Sequence, residues 1–524
     1  MLKATKTREF MRKRRHPRYV TLLSAAQRRE IVGSLRSLKV VAAREFLDNL
    51  LDLRFLIGLV LCLVVTVACI AILAHNCRRE LADYSLRVNM QDDFLSHYAT
   101  DDALVATNRQ QKPPERFRPL IVGIPRNEAL GSFDDDPLPI LFPPLDFLFI
   151  VTIVMSVLAL LFSYDAVTGE RQRGTLRLVI SNSISRTTIL LGKFIGGTAS
   201  LLIPFLLALL AGVLYINLNP NIQWTGSAWA ELGLLGVASI TFVTLFYLLG
   251  LMVSTFSRYS AVSILNCLFA WVLLILAIPN LAPYISAQVY RIPSIKEIER
   301  QENEIERDSL KLAGQRTAEV VKDFQRRYGK LFAELEAMRF GDDDAGASPE
   351  HQKAARQRAA TEPEFRAMME AFRAAQAQAR KPVFAAKEEA MNRLRQDLET
   401  QAARQTKLAK VLACLSPLAD FTYVARDLTG TGLRALEYFE RVSRKYEFEI
   451  HRYADKKVQE GRQKDPTLGV NSFIDLSNRP RFAFAEEALK DKLSEVLPCW
   501  GILVAYNVVF FVAAFAGFMR YDVR

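Results

Sequence analysis

The chain has 524 residues, 24 % charged and 50 % hydrophobic, with a formal net charge of +12. Its mean hydropathy of +0.09 averages two opposite populations: charge-free apolar runs, and stretches rich in Ala, Glu, Lys, Arg and Gln. That bimodality excludes a single soluble domain, an ordinary globular enzyme and a mainly disordered chain, and six cysteines are too few for a disulfide scaffold.

Residues 1–24 read as a basic tail. A helix follows over 28–52, because Ile31, Leu35, Leu38, Val41, Ala42, Phe46, Leu50 and Leu53 recur at three- and four-residue steps. Leading directly into an apolar run, such a helix lies in the membrane interface; docking on a soluble partner is the other reading of the same pattern. Six apolar runs occupy 55–74, 147–164, 194–218, 232–256, 261–282 and 497–519, none with Asp, Glu, Lys or Arg. A bilayer core of about 30 Å takes about 20 residues of helix, and one charge at its centre costs about 2.5–3.5 kcal/mol. The runs are therefore read as transmembrane helices. Pro204 interrupts the third, which a packed bundle tolerates. The first is not a cleavable signal peptide, since more than fifty residues precede it and it is long enough to span.

Charge sets the orientation. Fourteen Lys and Arg against five acids lie in the segment 1–54. Arg171, Arg173, Arg177, Arg186 and Lys193 outnumber Asp165 and Glu170 after the second run; Arg258 follows the fourth, and Arg520 and Arg524 the sixth. One orientation gathers all of these on the cytoplasmic side. Both termini are then inside, and 75–146, with Asp134, Asp135 and Asp136, and 284–496 are outside. The Arg cluster from Arg12 to Arg18 is read as positive-inside charge drawn to anionic lipid rather than a nucleic-acid site.

Outside, 75–146 is expected to be a small irregular cap, since Pro113, Pro114, Pro119, Pro125, Pro137, Pro139, Pro143 and Pro144 argue against long helices. The region 284–496 reads as helical. Apolar positions from Ile298 to Met338 fall at near-helical steps, 341–349 breaks the pattern, and helix resumes from about Glu350 to Cys414 with an interruption at Pro382. Ser416 and Pro417 start another helix, Thr429 to Gly432 form a turn, and a last helix enters span six after Pro480. The fold class is all-α: six transmembrane helices, both termini cytoplasmic, and a large helical, partly coiled-coil extracytoplasmic domain. The sixth span, 497–519, leaves a cytoplasmic tail of 520–524.

Several chemistries are missing. There is no G-x-x-x-x-G-K-[ST] loop, so ATP is not bound here in the P-loop manner; Gly192 and Lys193 lack the flanking residues. There is no H-E-x-x-H, no CxxC and no G-x-S-x-G, and His16, His75, His97, His351 and His451 are scattered. No metal site and no cofactor are expected. With no Asp, Glu, Lys, Arg or His inside the runs, proton coupling lacks a carrier; Asn266 and Asn507 read as interhelical hydrogen-bond groups. Cys77, Cys414 and Cys499 lie on the oxidising side, where a bridge between two of them is open but spacing cannot establish it.

The loop 165–193 is far longer than a link between adjacent spans needs. Gly169 and Gly174 bracket Glu170, Arg171, Gln172 and Arg173; Leu176, Leu178, Val179 and Ile180 give an apolar flank, and Ser185 caps the next helix. A charged tip with an apolar flank suits docking into a soluble partner, while an interfacial elbow is the plainer reading.

The pattern Asp165, Gly169, Glu170, Arg171, Gly174, Thr175 and Leu176, followed by Ser183, Ser185, Arg186, Leu191, Gly192 and Lys193, resembles the signature of type-two ABC exporter permeases. Arg44, Glu45 and Phe46 resemble that family's interface helix. The ending from Phe518 to Val523, with Ser416, Pro417, Leu428 to Gly432, Phe439 and Pro480 to Phe482, is similar to a bacterial branch with a large domain between spans five and six, grouped with permeases for copper-enzyme maturation and gliding motility. The resemblance covers about 40–75, 145–285 and the last span. It implies a non-catalytic membrane subunit in the bacterial inner membrane. A separate nucleotide-binding ATPase would carry ATP and Mg, and a second permease chain would complete a homo- or heterodimer. The segment 165–193 would be the coupling element, with Glu170 contacting the motor and Arg171 and Arg173 pairing with acids or lipid phosphates. Copper handling finds no support in the residues: ten Met in all and no outer Met/His/Cys cluster. An export permease for an amphiphilic substrate leads, followed by a machine that moves its outer domain against an extracytoplasmic protein partner, and then a static scaffold.

Overall fold

The computed structural model describes residues 25–97, 110–123, 144–181, 184–218, 224, 226–339, 361–464 and 479–520. The basic tail, the acidic run 134–136, the break 341–349, Ser183 and residues 521–524 lie outside these. Among the described residues every regular element is helical.

Helix α1 (Ala25–Leu50) leads to α2 (Leu53–His97). Helix α3 covers 147–163, with a wide π turn over Ile150–Met155. Two short helices follow, α4 (Thr168–Gln172) and α5 (Thr175–Ser181), then α6 (Arg186–Asn217), α7 (Gly226–Phe256) and α8 (Ser260–Val289). Beyond them come α9 (Ile295–Arg339), α10 (Pro363–Ala413), α11 (Pro417–Thr429), α12 (Leu433–Lys464) and α13 (Leu489–Met519). Six of these stretches are long and apolar enough to cross a membrane, and they coincide with the six expected runs to within a residue or include them.

Two expectations about helix limits are corrected. The first spanning helix does not stop with its apolar run but continues to His97. Every proline that argued against helix stands at position 113 or later, and 75–97 holds neither Pro nor Gly, the two residues that break helices most. Pro382 does not interrupt α10; a long helix packed along a neighbour tolerates one missing N–H. The other boundaries follow local chemistry. Ser416 accepts from the Leu418 amide with Pro417 in the first turn, and Gly430 closes α11 in the left-handed region at φ +69°. Ser185 caps α6 by accepting from the Thr188 amide. Asp146 caps α3, accepting from the Phe149 and Val122 amides at 2.9 and 3.2 Å.

The chain forms two compact units, one of 1–279 with 413–524, the other of 280–412. In the first, α3 and α7 are the central helices: their most apolar windows are 67 % and 61 % buried, against 17 % for α8 and α13. Phe242, Phe246 and Tyr247 of α7 are fully buried, and Phe421 of α11 packs against Phe242 with ring centroids 4.8 Å apart and the rings tilted by 31°. Trp271 of α8 donates to Ser156 of α3 at 2.8 Å. Arg118 is doubly bonded to Glu80, Arg434 to Glu487, and the buried Lys492 reaches Glu231 at 3.1 Å. In the second unit α9 and α10 pair antiparallel, as Lys387–Glu306, Arg380–Thr317 and the Phe372–Phe324 ring contact run in opposite directions along the two helices. Phe332, Phe365 and Met368 fill their seam, and α9 bends at Gly329.

Candidate functional site

The site expected between α3 and α6 is built on a close approach of α1 to α6. Gly192 and Gly196 face α1, where any Cβ would meet Val41 or the backbone of Ala42. Only a glycine pair one turn apart allows this, the same device that brings helices together in membranes. Asn49 Nδ2 of α1 adds a bond to Ser200 Oγ of α6 at 3.2 Å.

At this contact Lys193 is buried and donates to two carboxylates, Glu45 Oε2 of α1 at 3.0 Å and Glu170 Oε1 of α4 at 2.8 Å. One ammonium thus joins an interface helix, a short loop helix and a spanning helix. Burial holds the Glu45 carboxyl above its usual range, against the pull of Lys193 and with the charges of Glu170 and Asp48 adding to the rise. The second oxygen of Glu170 is buried without a hydrogen bond. Tyr247, fully buried in α7, donates to the Lys193 carbonyl at 3.0 Å.

The other singled-out residues surround this centre. Asp165 accepts from Arg54 at 3.1 Å, and Arg54 also bonds the Leu161 carbonyl and lies over the Tyr164 ring. Gly169 is buried, its carbonyl accepting from Arg173 Nε at 3.1 Å. Arg171 donates to the Ser257 carbonyl at 3.3 Å. Gly174 turns the chain between α4 and α5 at φ +74°, a conformation an L side chain resists. The Thr175 hydroxyl donates to the Glu170 carbonyl, and Leu176, fully buried, anchors α5. On α1, Arg44 pairs with Asp48 on the exposed face and Phe46 is half-buried. Arg173, Thr175, Arg177 and Leu178 form an exposed tip, with Leu178 69 % exposed.

Two contributors have roles that the loop alone does not give. Lys193 is named in the signature, but its two carboxylate partners are not, although a lone cation at the start of an apolar run needs a partner. Ser254, near the end of α7, carries no such signal. Its hydroxyl accepts from the Val167 and Thr168 amides, both at 3.1 Å, and fixes the entry to α4. Ser260 completes the clamp with a bond to Gln172 at 2.8 Å.

A family model described as ABC-2 family transporter protein matches residues 39–523. The chain belongs to this family. Two curated relatives are each named a probable ABC transporter permease protein NosY. The one from Stutzerimonas stutzeri is 47 % identical over 47 residues, and the one from Pseudomonas aeruginosa 45 % identical over 47 residues. In both cases the match covers 9 % of this chain and 17 % of the relative. Family and fold together make this chain a multi-pass membrane protein of the ABC permease type, and such a permease is typically the non-catalytic membrane subunit.

Proposed function

We propose that the chain is the membrane subunit of an ATP-driven exporter in a bacterial cytoplasmic membrane, with both termini inside. It works with a separate nucleotide-binding ATPase, which carries ATP and Mg2+, and with a second permease chain against its exposed apolar faces. The observation that carries this reading is the joint made by Lys193 with Glu45 and Glu170. A motor pressing on the tip at Arg173, Arg177 and Leu178 pushes α4 directly. Glu170 then passes the displacement through one buried cation to α1 and α6, so its role is transmission behind the docking surface.

A second reading is favoured by the separate compact unit 280–412. In it the same motion drives an outer body against an extracytoplasmic protein partner, with no solute carried. Stimulation of ATP turnover by that partner in the absence of any transported compound distinguishes it from export.

The test is Glu170→Ala in the reconstituted permease–ATPase complex. ATP turnover by the motor persists, while its dependence on the permease falls by about tenfold, equivalent to about 1.4 kcal/mol of lost coupling. Unchanged coupled activity would contradict the role assigned to Glu170.

A further inference from the structure

Cys414 sits in the turn between α10 and α11, Asp420 in the first turns of α11, and Cys499 in α13 directly after Pro498. More than eighty residues of chain separate the two cysteines, yet both sulfurs and a carboxylate oxygen of Asp420 lie within 4.8 Å of one another. No disulfide joins the cysteines. Asp420 is fully buried, Cys499 is buried and Cys414 is half-buried. No hydrogen bond from outside the cluster reaches either oxygen of Asp420, whose side-chain partner is the Cys414 thiol, and burying a carboxyl group costs several kcal/mol unless something compensates.

The turn carrying Cys414 is held on both sides. Ser416 Oγ donates to the Leu274 carbonyl of α8, and Tyr506 of α13 donates to the Leu415 carbonyl at 3.0 Å. The three donors therefore come from segments fixed to one another, as a metal site requires.

We propose that Cys414, Asp420 and Cys499 bind a thiophilic divalent cation of the zinc class. Two sulfurs disfavour Mg2+ and Ca2+, which take oxygen donors. The hard carboxylate as third donor beside the two sulfurs suits Zn2+ better than a purely soft monovalent ion. Tetrahedral Zn–S bonds of about 2.3 Å set sulfurs about 3.7 Å apart, which lies inside the 4.8 Å that bounds the cluster. Binding exchanges the two thiol protons, released to solvent, for two metal–sulfur bonds. The carboxylate supplies a third bond, and the fourth position opens beside the half-buried Cys414. The ion compensates the burial of the Asp420 carboxylate and fastens the α10–α11 turn and α11 to spanning helix α13.

The test uses the full chain in mild detergent, reduced, freed of reductant and titrated with Zn2+, then with Co2+ as a spectroscopic probe. One equivalent of Zn2+ per chain should survive gel filtration, and Co2+ should give a thiolate charge-transfer band. Cys499→Ser and Asp420→Asn should each weaken binding by about 10–100-fold or more. Replacing Cys62, Cys69, Cys77 and Cys267 together by Ser should leave it intact. Alkylation of Cys414 in the unaltered protein, followed by peptide mass spectrometry, needs no variant: Zn2+ should slow it at least about tenfold. Failure of the wild-type chain to retain Zn2+, retention unchanged by Cys499→Ser, or isolation of the chain with a Cys414–Cys499 disulfide would each overturn the assignment.

Discussion

Replacing Lys193 by Met leaves Glu45 and Glu170 facing each other with no cation between them. Removing one partner from a buried ionic cluster costs about 3–5 kcal/mol, because the remaining charges stay desolvated. Lys193→Met should therefore lower the thermal stability of the purified chain and speed hydrogen exchange across the part of α1 that ends at Leu50. Adding Glu45→Gln and Glu170→Gln should recover most of the loss, which a simple packing defect at position 193 would not allow. The residue scale is also where sequence was least informative. Gly192 and Lys193 attract notice as remnants of a phosphate loop, yet their work is steric and electrostatic: the glycine admits α1, and the lysine ties it down. Asp165, Glu170 and Gly174 stand out in the sequence because a charged, glycine-bracketed tip is unusual between two apolar runs. The contacts from distant segments do not. Arg54 bonds Asp165, Ser254 holds the Val167 and Thr168 amides, and Glu45 shares Lys193 with Glu170, and only tertiary packing brings these groups near.

Among the elements, α4 is five residues long and cannot hold itself as a helix in water. It is kept in place by Ser254, whose hydroxyl satisfies two buried amides, and by Ser260 and the Ser257 carbonyl. Ser254→Ala leaves those amides without an acceptor at about 1–3 kcal/mol each. Limited proteolysis at Arg171, Arg173 and Arg177 should accelerate in this variant while cleavage elsewhere is unchanged. Equal rates in both proteins would show that α4 is held by other contacts. Legibility at this scale depended on how local the determining chemistry was. The caps at Ser185 and Ser416 and the left-handed turn at Gly430 are written within three or four residues, and each was readable. The extension of α2 to His97 and the continuity of α10 through Pro382 depend on helix propensity and on packing along a neighbour, and proline counting misjudged both.

On the scale of the whole molecule, six charge-free runs specify the spans because lipid penalises every alternative, and all six are found as helices. The antiparallel α9–α10 unit was legible as helix from its periodicity, while the pairing that buries Phe324, Phe332 and Phe372 was not, since either helix face could have been turned inward. The exposed apolar flanks of α8 and α13 need lipid or a second chain to cover them, and the exposed tip at Leu178 is the surface on which the proposed motor would dock. The measurement that bears most directly on all of this is purification of the tagged, full-length protein from its native membrane. Mass spectrometry and crosslinking would then identify what accompanies it. A P-loop ATPase recovered in about equal amount, crosslinked to residues 165–190, is the predicted result. The chain recovered without any ATPase under mild detergent, and with no crosslink in that segment, would contradict the reading of this protein as the moving membrane subunit of an ATP-driven complex.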